Sequence, residues 1–169
     1  MLTKFIEGKT AVFIDAANIE LSAKDLNFRI KYKNLYKWLS SQGELNYVGF
    51  YTARFENKEH DNFLTMLKKN GYKLVTKKLK VIRNKDNSHL RKANFDVEIA
   101  VDALKYVGNY QTIILFSGDS DFAYLIDYLH KIGKKVIVAS LKHHISKELI
   151  ERSDYYLDLS RIKKEIKRP

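Results

Sequence analysis

Residues 112–122, T-I-I-L-F-S-G-D-S-D-F, decide how the rest of the chain is read. The first five are apolar or β-branched and too few for a helix. Ser117-Gly118 ends the run, so the pattern predicts a buried parallel strand opening into a turn. Asp119 and Asp121 follow at once. Both carboxylates therefore fall at the carboxyl end of a central strand, the edge where open α/β sheets bind their ligands.

Outward from this stretch the same pattern recurs. Residues 10–14, T-A-V-F-I, form a second buried-strand pattern that runs into Asp15, with Ala16-Ala17-Asn18 beyond. Strands are expected at residues 45–51, 72–76 and 136–139, with a last edge strand at 155–159. Helices are expected at 30–39, 57–69, from 95 to about 107, and at 122–132, with a brief one at 146–150. Residues 77–82 alternate as an extended arm, and 84–91 read as a polar loop. Strands alternating with helices predict an α/β fold: a three-layer α/β/α sandwich with a mainly parallel central sheet. Residues 1–160 read as one domain and 161–169 as a basic, solvated tail.

The composition narrows the chemistry. There is no cysteine in 169 residues, so a disulfide framework and thiolate metal sites are excluded and a metal would need oxygen or imidazole ligands. Lysine plus arginine number 31 against 20 acids, a net charge of +11 that favours a polyanionic partner. No apolar run approaches the ~18 residues of a membrane span, and nothing resembles a signal peptide. The expectation is a soluble, cytoplasmic protein that does not engage a membrane, with homo-oligomerisation left open.

Asp15, Asp96, Asp119 and Asp121 stand at strand ends or helix starts. In a parallel sheet the carboxyl ends share one edge, so acids distant in sequence converge there. Each alone could cap a helix. Together they repel one another unless a cation neutralises them, and an all-oxygen set suits Mg²⁺ or Mn²⁺. Such ions support phosphodiester hydrolysis. Asn18, three residues after Asp15, faces the same point if a helix begins there. Asp102 ranks second, because it lies ~120° round the helix from Asp96 and groups with Glu98 and Lys105 on a polar stripe. Ser117 also ranks second: no serine-histidine-aspartate spacing supports a nucleophile, so a turn hydroxyl is the expectation.

Bases dominate from Lys68 to Lys92. Lys77, Lys78, Lys80, Arg83, Lys85, Arg91 and Lys92 lead towards Asp96 and are the candidates for holding a phosphate backbone. Tyr47, Phe50, Tyr51, Arg54 and Phe55 could stack unpaired bases, although packing explains half of them. His143-His144 reads as a surface turn and not a ligand pair.

Residues 13–19 (F-I-D-A-A-N-I), 92–104 (K-A-N-F-D-V-E-I-A-V-D-A-L), 117–122 (S-G-D-S-D-F), 133–138 (G-K-K-V-I-V) and 149–159 (L-I-E-R-S-D-Y-Y-L-D-L) resemble the NYN domain. The resemblance is to the LabA-like, DUF88-type branch of the PIN-like nuclease superfamily and covers about residues 10–159. It implies a PIN-like fold and a Mg²⁺- or Mn²⁺-dependent ribonuclease acting on single-stranded or structured RNA. By the same resemblance Asp15, Asn18, Asp96, Asp119 and Asp121 are the catalytic positions, with Asp102 the second acid of its motif. Ala93-Asn94 follows Lys92 where many relatives carry glycine. The rival reading is a non-catalytic RNA-binding or regulatory module on the same fold. Toprim-like and receiver-domain chemistries fit less well, and no glycine-rich phosphate loop appears.

Overall fold

The computed structural model describes residues 2–78, 80–83 and 89–168. Strands β1 (Thr10–Asp15), β2 (Leu45–Arg54), β3 (Lys73–Lys78), β6 (Thr112–Phe116), β7 (Lys135–Ser140) and β8 (Tyr155–Asp158) form one sheet in the order β3-β2-β1-β6-β7-β8. Every pairing in it is parallel. Phe13 pairs with Leu115 and Ile14 with Phe116, so the two most apolar strands lie side by side at the centre. The chain order reverses direction between them, the topological switch point of a doubly wound sheet.

Two cores flank the sheet because alternate residues of each strand face opposite layers. Val12, Ile14, Ile114 and Phe116 pack on one side with α1 (Ala16–Asp25), α2 (Tyr32–Gln42) and α3 (Lys58–Lys69). Phe13, Ile113 and Leu115 pack on the other with α4 (Asp96–Lys105), α5 (Ala123–Lys131) and α6 (Lys147–Arg152). The expected α/β/α sandwich is thus what the chain forms.

Two expectations change. Residues expected as an arm and loop form an antiparallel hairpin, β4 (Lys80–Arg83) with β5 (His89–Lys92), in which Lys80 pairs with Lys92. Residues 84–88 of the expected loop lie outside the described residues. The C-terminal stretch is docked rather than a solvated tail. α7 (Lys163–Ile166) packs on α2, Ile162 and Ile166 are fully buried, and the Arg168 N–H donates to the Arg29 carbonyl at 2.7 Å. Two isoleucines among the bases supply the apolar area that basic composition concealed. The helix expected from residue 95 is α4, which turns Ile99 and Ala103 inward and leaves Val97, Val101 and Leu104 exposed. It is apolar on more than one side.

Candidate functional site

The site sits at the carboxyl edge of β1 and β6. Asp15 ends β1 and caps α1, its Oδ1 accepting the Ala17 N–H at 3.1 Å. Asp119 does the equivalent beyond β6, its Oδ1 accepting the Asp121 N–H at 3.1 Å and starting a 3-10 turn, Ser120–Phe122. The Asx turn that closes this segment therefore also brings the two acids together. Asp96 arrives from the opposite direction, as the first residue of α4. One carboxylate oxygen from each of Asp96, Asp119 and Asp121 lies within 4.8 Å of the other two. Among the described residues this is the acidic group tight enough to hold a cation.

Asp15 stands beside that group without joining it. It lines the same cleft of about 370 Å³ as Asp96 and Asp119, with Tyr51, Phe55 and Asn94 also in the wall. Burial pushes its carboxyl up to about 6, against the backbone N–H groups of Asn18 and Ala17 that favour the ionised form. The charges of Asp96 and Asp119 raise it further. A crowded all-oxygen set of this kind fits a hard divalent ion, Mg²⁺ or Mn²⁺, better than a softer metal.

The polypeptide around Asp119 is held closely. Ser117 is fully buried and its Oγ accepts the Asp119 N–H at 3.3 Å, which ties the turn to the end of β6. Gly118 lies against the backbone of residues 144–145: a Cβ there would stand 1.6 Å from the His144 carbonyl oxygen. The Gly118 carbonyl in turn accepts the Ser146 N–H at 3.0 Å. Only glycine lets these two backbones approach.

Several expected residues are placed elsewhere. Asn18 reaches Asp15 through its backbone, while its side-chain oxygen accepts the Ser140 hydroxyl at 3.1 Å and braces α1 against β7. Asp102 lies in a different cleft, with Lys105 and Tyr106. It accepts the Tyr51 hydroxyl at 2.9 Å, and burial holds that phenol well above its ordinary range, so the donor stays protonated. Lys77 fastens the approach to α4: its Nζ donates to the Asn94 carbonyl at 2.7 Å, pairs with Glu98 at 2.6 Å and lies over the Phe95 ring. Lys78 pairs with Glu56 on the exposed surface. Lys80, Arg83, Arg91 and Lys92 fall on the hairpin strands, and Lys85 lies outside the described residues. Of the aromatics, Phe50 and Tyr51 are fully buried, Tyr47 stacks on Tyr106 at 4.5 Å, and Phe55 is the exposed one that lines the acidic cleft. His144 is held by Asp25 at 2.5 Å.

Asn94 is the residue that sequence reading missed. Its amide nitrogen donates to Asp96 Oδ2 at 2.6 Å, and its side-chain oxygen accepts the Asp96 N–H at 2.7 Å. The signal was present as an Asn two residues before an acid at a helix start, a spacing at which the side chain replaces a backbone turn.

This sheet order, with acids gathered at the switch point, defines a PIN-like α/β protein. Residues 9–160 match the NYN domain, and the chain belongs to that family. It is similar to the low amplitude and bright protein LabA of Synechococcus elongatus, with 29% identity over 163 residues that span 94% of this chain and 88% of that one. The fold is similar to that of a protein of unknown function from Vibrio parahaemolyticus, with a TM-score of 0.77 at 23% identity over 90% of this chain and 93% of that one. Among the described residues no helix is long and apolar enough to cross a membrane.

Proposed function

We propose that the chain is a divalent-metal-dependent endoribonuclease. The observation that carries this reading is the convergence of Asp96, Asp119 and Asp121 within 4.8 Å at the switch point of an NYN domain. These three would hold Mg²⁺ or Mn²⁺, and Asp15 and Glu20 bring further carboxylates to the wall of the cleft that Asp96 and Asp119 line. The ion would supply water activation and charge neutralisation at the phosphodiester. The chain's own residues do the rest. Ser117 and Gly118 fix the backbone that aims Asp119, Asn94 fixes Asp96, and no side-chain nucleophile is needed. Exposed Phe55 offers a ring for an unpaired base beside the acids. The NYN domain would end near residue 160, with 161–169 as a basic segment added to it. The bases Lys80, Arg83, Arg91 and Lys92 of the two hairpin strands would lie along the RNA, and Lys85, from the sequence between those strands, would add to them.

The test is incubation of labelled single-stranded and hairpin RNAs with the protein in Mn²⁺, Mg²⁺ or EDTA. Internal cleavage that requires the metal supports the reading. Salt-sensitive RNA binding without cleavage in any metal would instead support a non-catalytic RNA-binding module.

A further inference from the structure

A second cleft, of about 610 Å³, opens beside the acidic one, and Glu20 on α1 stands in the wall of both. Its rim carries Lys24, Arg29 and Arg168, all exposed. Among the described residues none of the three forms an ion pair, whereas Lys77 and Lys78 are engaged by Glu98 and Glu56. The arrangement is built into the fold. The docked C-terminal segment bridges Lys167 to Ile30 and hydrogen-bonds Arg168 to Arg29 through the backbone, which sets the two guanidinium side chains on one cleft. The Glu20 carboxylate accepts the Tyr32 hydroxyl at 3.2 Å and is thereby tied to the wall.

An acidic metal cluster repels the polyanion it must cut, so the cations that hold a strand belong on its flank. Guanidinium groups suit that place because their donors match phosphate oxygens in pairs. We propose that this cleft is a phosphate-binding subsite for nucleotides flanking the scissile bond, with Lys24, Arg29 and Arg168 holding the RNA backbone as it passes Glu20. The assignment rests on the nuclease reading above. Contacts to phosphate alone supply affinity and direction but no base preference, so the subsite makes the enzyme tolerant of sequence on this side of the cut.

The test separates the subsite from catalysis by measuring binding in EDTA. Affinity for a 12-nucleotide single-stranded RNA is titrated against salt for the wild type, for Arg29→Ala/Arg168→Ala, and for Lys105→Ala/Lys131→Ala, which removes the same charge elsewhere. The cleft variant should bind about tenfold more weakly near 0.1 M salt and lose ~1.4 from its log–log salt slope, while the control keeps most of both. Equal losses in the two variants, or none in either, would overturn the proposal. Adenosine monophosphate serves as a second probe. If the cleft variant loses binding to it while 12-mer affinity is unchanged, the cleft belongs to a free nucleotide and the proposal fails. Loss of cleavage in every protein with this binding pattern intact would count against the nuclease reading alone.

Discussion

Asn94 grips Asp96 from both ends, donating to its carboxylate at 2.6 Å and accepting its backbone N–H at 2.7 Å. The first residue of α4 thereby gains a fixed rotamer and a fixed start. Partners of this kind outside a ligand set commonly contribute 10–100-fold to metal affinity or activity. Asn94→Ala should therefore weaken Mn²⁺ binding about tenfold or more, with little change in far-ultraviolet circular dichroism. Calorimetric titration with Mn²⁺ checks it, and unchanged affinity would show that Asp96 needs no such support.

Asp102 is predicted to be structural. It lies in a separate cleft under the Tyr51 hydroxyl, so Asp102→Asn and Tyr51→Phe should each cost about 1–3 kcal/mol in urea denaturation. RNA cleavage should stay within a few-fold of wild type in both. Loss of Mn²⁺ binding in Asp102→Asn, with stability retained, would place that acid in the metal set instead.

Gly118→Ala tests the contact between the Asp119 turn and the loop before α6. The added Cβ meets the His144 carbonyl oxygen at 1.6 Å, and neither partner is a flexible side chain. The backbones must separate, which should cost ~3 kcal/mol or more and displace Asp119. Thermal melting and cleavage should fall together. A variant that melted like the wild type would show that this loop yields freely.

Asp15 gives a pH signature. Its folded-state value of about 6 lies above the 3.8 of an ordinary aspartate, so the folded protein binds a proton that the unfolded chain has released. The penalty is absent below about pH 4, grows as pH rises to about 6 and is constant above. Asp15→Asn should therefore stabilise the metal-free protein by up to about 3 kcal/mol at pH 7.5 and by much less at pH 4.5. Melting curves in EDTA at the two pH values check the sign. Saturating Mn²⁺ should reduce or reverse the gain, because the cation favours the ionised carboxylates.

The central sheet was readable because β1 and β6 are apolar runs ended by polar turns, a pattern with few other uses in so short a span. The edge position of Asp15, Asp96, Asp119 and Asp121 followed from that reading. What the sequence concealed depends on partners far away in the chain. Lys77 looks like a phosphate contact until Glu98 and the Asn94 carbonyl are seen beside it. Residues 161–168 look solvated until Ile162 and Ile166 are found beneath α2 and its neighbours. Asn18 and Asp102 carry the right chemistry but are turned to Ser140 and Tyr51. Composition and spacing identify the residue type at a site, whereas the direction of each side chain is set by packing between elements.

The measurement that bears most directly on the central claim is cleavage of labelled single-stranded RNA by wild type and Asp119→Asn in Mn²⁺, with circular dichroism on the same samples. Metal-dependent internal cleavage by the wild type is expected, with a loss of at least ~100-fold in a folded Asp119→Asn protein. A folded variant that cut RNA as fast as the wild type would contradict it.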